Sequence, residues 1–367
     1  MRKIKEMNLL VKILVCLTFF NVTVSVGQPQ YERLYNDILK GNSTYSYKEI
    51  FKFSKSNNAY NFIAIGYFIN ANNIMYKKTK DKKYLEYNIT VIESMILKNN
   101  KANYIKNKWV MNVSSKNQNS VVNGKEHLIS EGYFFRYLGE FLDILKKDKI
   151  YTEYHTTILE SLVYSFNKWE DKSKSSLFHQ RFHIGANWAV VSLYLDKFTN
   201  EQKYKDFYKT FDSQLKKALT KIILNGKECY VWNSTYPEKF TKSLKNLKKY
   251  PTKIQDVTHG NHVVNYIITS YNLNIGVWNR EDLSTFGNTV KYIIWNSQTK
   301  SFSDNVDGTQ SANGETKTTG WKQSDGWMKL VPYNKSIKNI YELYYKENKE
   351  KINKSSLCLQ YLANLHN

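Results

Sequence analysis

From position 60 to position 345 the apolar residues recur at three- and four-residue intervals, and only rarely do they alternate with polar ones. That period belongs to helices burying one face, whereas half-buried strands would alternate. The pattern predicts helices over 60–77, 83–98, 131–147, 152–169, 185–197, 202–223, 259–271, 283–295 and 337–345. In the third of these, Phe134, Leu138, Phe141 and Leu145 form one apolar stripe. Proline, which would break such helices, occurs only at 29, 237, 251 and 332, outside every predicted helix.

A faint repeat organises these helices. The frame Lys77-x-Thr79-x-x-x-Lys83-Tyr84 returns as Lys197-x-Thr199-x-x-x-Lys203-Tyr204, with a looser copy over 146–154. Each copy joins a helix ending in basic residues to one that opens on polar residues and an aromatic. A repeated helix–turn–helix unit buries its apolar faces only by stacking on its neighbours. The intervals leave room for about six hairpins, and their irregular spacing favours closure into a ring over an open superhelical stack. The expected fold is therefore all-α, a single α/α toroid of about six helical hairpins. Three stretches break the helical pattern, 107–125, 226–251 and 298–327. Long irregular connections of this kind tend to carry function, and in a toroid they would line one rim.

The first 27 residues read as an export signal. Arg2, Lys3, Lys5 and Lys12 precede an apolar run over 13–26, and Ser25-Val26-Gly27 offers the small residues a signal peptidase cuts after. The run is shorter than the ~20 residues a membrane-spanning helix needs. Residues 28–367 are then expected to form the toroid, in a secreted or periplasmic protein. Past the signal only Cys229 and Cys358 remain, which excludes a disulfide scaffold but leaves one bridge open. The chain carries 54 Lys and Arg against 32 Asp and Glu, a net charge of +22. Lysine spread over solvated helix faces accounts for much of this; the functional reading is attraction to a polyanion, and for an exported protein an acidic glycan rather than nucleic acid. The 29 Tyr and 8 Trp are compatible with a sugar cleft.

Four of the seven histidines fall in two short motifs. In the first, over 178–188, His179, His183 and Asn187 step by four and would share a helix face, with Gly185 and Ala186 small enough to admit a close neighbour. In the second, over 256–266, Asp256 or Thr258 caps a helix whose His259, His262 and Tyr266 are spaced three and four apart. Such a helix start offers unpaired N–H groups and a positive dipole end to an anion. The bland alternative for both motifs is a capped, packed helix start.

Imidazoles, an amide, a phenol and a guanidinium together suit β-elimination of a uronic acid. Asn187 and Arg181 would neutralise the carboxylate, stabilising the enolate-like state. His259 or His262 would take the C5 proton, with His183 beside them. Tyr266 would protonate the leaving oxygen, a part open equally to Tyr133. Trp321, Lys322 and Trp327, near Asp325, would form a sugar-binding loop at the rim, with turn formation by the Asp and Gly residues as the alternative. Glu131 is either a first-turn cap or a cleft carboxylate.

These motifs, with the toroid and the export signal, resemble the helical-toroid polysaccharide lyases that act on alginate, glucuronan and related uronates, including polysaccharide lyase family 38. The His259-Gly260-Asn261-His262 run is similar to the Asn/His-bearing helix starts of the alginate lyase group, with Gly260 where some members have a second Asn. The resemblance implies an exported lyase acting on an anionic polysaccharide, without cofactor or metal, with Asn187, His262 and Tyr266 catalytic. Two other functions compete. A toroid glycoside hydrolase needs two opposed carboxylates, for which Glu131, Asp256, Asp304 and Asp325 are available. A non-catalytic glycan-binding protein would keep the Trp and Lys residues alone. A zinc site from His183, His259 and His262 lacks the companion acid motif of metalloproteases.

Overall fold

The computed structural model describes residues 28–97, 109–112, 123–172, 177–244, 252–310 and 319–366. The expected signal, 1–27, and parts of all three predicted loops lie outside the described residues. Two helices that the pattern did not predict come first, α1 (Gln28–Lys40) and α2 (Tyr47–Ser54). Then follow α3 (Phe62–Thr79), α4 (Lys83–Ile92), α5 (Leu128–Asp148), α6 (His155–Lys172), α7 (Phe182–Thr199) and α8 (Gln202–Ala218). A hairpin of β1 (Thr220–Leu224) and β2 (Lys227–Val231) and a short helix α9 (Glu238–Ser243) lead to α10 (Val257–Asn272) and α11 (Arg280–Thr289). A two-residue ladder joins β3 (Trp295–Asn296) to β4 (Ser301–Phe302), before α12 (Lys338–Asn353) and α13 (Cys358–Leu365).

The protein is a helical toroid. Its inner wall runs α3, α5, α7, α10, a 3₁₀ turn at Trp327–Leu330 and α13, and α13 closes the ring by packing on α3. Outside it, α4 covers α3, α6 covers α5, α8 covers α7 and α11 covers α10, while α1 and α12 lie on α13. The division follows from composition. Residues 182–196 of α7 are buried all round, as a helix flanked on every side must be. By contrast, α8 buries only Tyr204, Phe207, Tyr208, Phe211, Asp212 and Leu215, one stripe of an otherwise polar helix.

The repeated frame is a repeated turn. Lys80, Lys149 and Asn200 each end a helix in the left-handed region, and each N–H bonds the carbonyl four residues back. Thr79 and Thr199 donate to the carbonyl four residues earlier and accept the N–H two residues on, which explains the shared threonine. The closing aromatics, Tyr84 and Tyr204, are fully buried.

Several helix ends differ from the pattern: α12 runs on to Asn353, and α4 gives way to a π turn over Glu93–Leu97. The eighth helix stops at Ala218 instead of 223, because Asn225-Gly226 take positive φ and turn Leu224 back onto Lys227. The segment predicted as helix to 295 becomes a wider π turn over Val290–Ile294 and then β3. Cys229 and Cys358 are both free and buried, so the bridge left open by the sequence is not formed.

Candidate active site

The inner helices α5, α7 and α10 start at one rim, and the irregular segments gather there. Thr235 bridges to Arg181, Ile254 to Asn233 and Asn305 to Asp256, the residue at the head of α10. The loop before the 3₁₀ turn is pinned to α10 by Asn261, which donates to the Lys322 carbonyl and accepts from the N–H groups of Gly326 and Trp327 at 3.1 and 3.2 Å. A Cβ on Gly326 would stand 2.0 Å from the Asn261 carbonyl oxygen, so only glycine lets this loop sit so close.

Under these loops the two histidine motifs meet. The rings of His183 and His259 are 4.3 Å apart, and those of His183 and His262 6.2 Å. Asp256 caps α10 by accepting the His259 N–H at 2.9 Å, and also lies 2.9 Å from the same residue's Nδ1. This pair faces solvent, with the two side chains 43% and 33% exposed for His259 and Asp256. His262 is buried. Its Nδ1 is 2.7 Å from Asp325 Oδ2 and 2.8 Å from Arg136 Nη1, while Nε2 is 2.5 Å from Tyr133 Oη. The guanidinium only donates, so Nδ1 accepts from Arg136 and the proton of the neutral ring sits on Nε2, which donates to the Tyr133 oxygen. Arg136 also donates to Asp325 Oδ2 through Nη2 at 2.7 Å. The result is a buried chain of Tyr133, His262, Asp325 and Arg136.

Burial first, then the Arg136 and neighbouring imidazole charges, hold His262 well below its ordinary 6.5. The same is true of His183, through burial and then His259, Arg181 and His179. Both rings are neutral at physiological pH. Burial pushes the Tyr133 phenol up, with Arg136 opposing and the Asp325 and Asp256 charges adding to the rise. Burial also resists ionisation of Asp256, but the His259 hydrogen bond and charge outweigh it and keep the carboxyl below 3.8.

Asn187 lies one turn past His183 and abuts Gly132 of α5, where a Cβ would come within 3.1 Å of the Asn187 Cβ. The structure therefore brings Asn187, His183, His259, His262 and Tyr133 to one place. Neither the nitrogen nor the oxygen of the Asn187 amide has a protein partner, although both are buried. Each such group costs about 1–3 kcal/mol unless water or a ligand meets it.

Several expectations are corrected. His179 precedes α7 with φ 44° and does not share its face. Gly185 makes room for Tyr236, whose hydroxyl would be 2.0 Å from an added Cβ. Glu131 is fully buried toward α6, bonded to Lys168 Nζ at 2.7 Å, Trp169 Nε1 at 2.8 Å and Ser165 at 2.9 Å; it is a structural counter-ion and not a cleft carboxylate. Trp327 is core, with its ring beside Trp232 and its indole N–H on the Val257 carbonyl. Trp321 is also buried, with Lys351 Nζ 4.9 Å and Lys322 Nζ 6.0 Å from its ring centroid, so its face is not open for sugar stacking. Arg181 flanks the cluster and contributes charge at His183. Among the described residues no group of three or more His, Cys, Asp or Glu is arranged to hold a metal.

Tyr266 is not with the histidines. Its hydroxyl donates to Asp212 Oδ1 of α8 at 2.7 Å, joined there by Trp278 Nε1 at 2.6 Å. Burial raises Asp212 from 3.8 to about 6 against these two donors. An acid with a raised folded pKa stabilises the fold fully below its unfolded value, and that contribution disappears as pH rises through the folded one. Asp212→Asn, which mimics the protonated form, is expected to flatten the stability profile between about pH 4 and 6. Urea unfolding across that window should show the wild type losing on the order of 2–3 kcal/mol relative to the variant.

No protein-family model matches this chain, and no curated protein matches it in sequence. Solved chains that match belong to the GH76A α-1,6-mannanase of Salegentibacter sp. HEL1_6. An inactive variant in complex with α-1,6-mannotriose is 10% identical, with 88% of this chain and 99% of that chain covered and a TM-score of 0.45. Another structure of the mannanase is 10% identical, with 88% of this chain and 98% of that chain covered and a TM-score of 0.44. The expected kinship with uronate polysaccharide lyases is corrected by this comparison. The matching chains are glycoside hydrolases, and the lyase, alginate and glucuronan assignments fall with the resemblance. Among the described residues no helix is long and apolar enough to cross a membrane.

Proposed function

We propose that the rim cluster of this exported toroid, residues 28–367, hydrolyses a glycosidic bond, with Asp256 as base and Tyr133 as proton donor. One observation carries the reading: a partly exposed carboxylate, Asp256, and a phenol, Tyr133, belong to one cluster, linked through His259, His183 and His262. A carboxylate and a phenol gathered in this way can divide the base and acid roles. Asp256, ionised and open to solvent, takes a proton from water as it attacks the sugar carbon. The Tyr133 oxygen accepts from His262 Nε2, and its own hydroxyl proton passes to the glycosidic oxygen of the leaving sugar. Arg136, 4.9 Å from the Tyr133 ring centroid, stabilises the phenolate left behind, and solvent returns the proton. Asp325 acts through Arg136, whose other nitrogen holds His262 Nδ1 and so directs Nε2 at the phenol oxygen. His183 and Asn187 supply the remaining polar wall.

The substrate class is a glycan, and the net charge of +22 supports acidic ones. The test is a panel of α-1,6-mannan, other neutral glycans and uronate polymers, read for reducing ends and for the ultraviolet absorbance of unsaturated uronides. Reducing ends without that absorbance are expected. An absorbance rise, or no new ends on any polymer, would overturn hydrolysis. Binding without cleavage is the second reading, favoured by burial: Tyr133 is 8% and His262 2% exposed. Saturable binding with no product would establish it.

A further inference from the structure

From Ala59 to Tyr76 every residue is buried except Tyr60, Asn61, Ile63, Ala64 and Tyr67. The Asn61 amide turns aside to donate to Ser56 Oγ at 2.8 Å. Counted from Tyr60, the other three follow at intervals of three, four and seven residues, which places all four on one face. That face spans the 3₁₀ turn Ala59–Asn61 and the first turns of α3. Around the rest of α3 pack α2, α4, α5 and α13, so the accessible face opens into the ring. At its inner end the Tyr67 ring meets the Tyr133 ring edge-on, with centroids 5.8 Å apart, which makes the face continuous with the rim cluster. At its outer end Tyr60 is 57% exposed.

The face is free of charge. No Asp, Glu, Lys, Arg or His occurs from Ser56 to Tyr76, in a chain that carries 54 Lys and Arg. The charges that reach the Tyr67 hydroxyl, those of Asp325 and Arg136, are paired with each other at 2.7 Å. Burial raises the Tyr67 phenol well above 10, with Tyr133 and Asp325 adding to the rise and Arg136 opposing it. The hydroxyl is therefore neutral and can both donate and accept. Two tyrosines two helical turns apart, about 10 Å, enclose an apolar floor of Ile63 and Ala64. Such a surface suits a ligand that is apolar on its faces and rich in neutral hydroxyls at its edge, as a pyranose ring is. A uronate would bring its carboxylate to a helix face that offers no charge.

We propose that this face of α3 is a sugar-binding subsite, where neutral pyranose rings of the glycan lie one against Tyr60 and one against Tyr67. The assignment rests on the glycan-directed reading of the rim cluster. It adds which wall of the cleft carries the chain, and that the sugars bound there are uncharged.

The experiment is calorimetric titration of the full chain carrying Asp256→Asn, so that binding is read without turnover. The ligands are neutral trisaccharides of gluco, galacto and manno configuration and uronate trisaccharides of equal length. A neutral trisaccharide is expected to bind saturably and more tightly than any uronate. Adding Tyr60→Ala or Tyr67→Leu should weaken it on the order of three- to tenfold, whereas Tyr60→Phe, which keeps the ring, should stay within about twofold. Circular dichroism checks that each variant is folded. No saturable heat with any neutral sugar, tightest binding of a uronate, or unchanged affinity in both folded Tyr60→Ala and Tyr67→Leu proteins would overturn the subsite. Tyrosine-dependent binding by a chain whose Asp256 form cleaves none of these sugars upholds the subsite and overturns hydrolysis alone. Cleavage with an affinity indifferent to both tyrosines does the reverse.

Discussion

Arg136→Met is expected to lower the unfolding free energy by on the order of 3–5 kcal/mol. Arg136 is fully buried and Asp325 is 1% exposed, so removing the guanidinium strands a carboxylate inside the ring. Asp325 Oδ1 already lacks a protein partner, and His262 alone would remain near Oδ2. Most of the cost is the price of an unpaired buried charge and not the worth of the pair. A double-mutant cycle separates the two. Asp325→Asn removes the charge that Arg136 compensates, so the double variant should lose much less than the sum of the single losses. Urea unfolding measures all four corners of the cycle. A loss under about 1 kcal/mol for Arg136→Met would mean that water reaches Asp325 and the chain is not sealed.

Asp256→Asn is expected to lower kcat by on the order of 10²- to 10⁴-fold while leaving the fold intact. Asparagine caps a helix as well as aspartate does, so the hydrogen bond to the His259 N–H survives the change. What disappears is the charge, and with it the capacity to accept a proton from water. Unchanged thermal unfolding with lost turnover would tie Asp256 to chemistry. Turnover within tenfold of the wild type would reduce it to a cap and leave the rim cluster without a base.

The outer helices α4, α6, α8, α11 and α12 were legible because each buries one stripe, and the three-and-four spacing records it directly; α1, also outer, was missed. The repeated threonine turn was also legible, since its hydrogen bonds are local. Within the inner ring, periodicity loses its meaning. A helix with neighbours on all sides has no solvent face against which to fix direction. Spacing alone therefore put Tyr266 with His262, although α8 claims Tyr266 through Asp212. Glu131 was ambiguous for a related reason. Its partner Lys168 lies on α6, and nothing within one turn of Glu131 announces it. Arg136 was the signal that went unread: a guanidinium inside the run Tyr133-Phe134-Phe135-Arg136-Tyr137-Leu138 must have a buried anion waiting. The functional class rested on residue types that lyases and hydrolases share, so the motif resemblance led to the wrong family.

Five members of the inner wall are helices of two turns or more, whereas the sixth is the four-residue stretch Trp327–Leu330. A barrel stave this short has little local cooperativity to protect it and can detach while its neighbours stay folded. Asp325 and Lys329 bracket this weak seam, one serving the histidines and the other the opposite mouth. A single brief rupture there would release Arg136 from Asp325 and Asn265 from Lys329 at once.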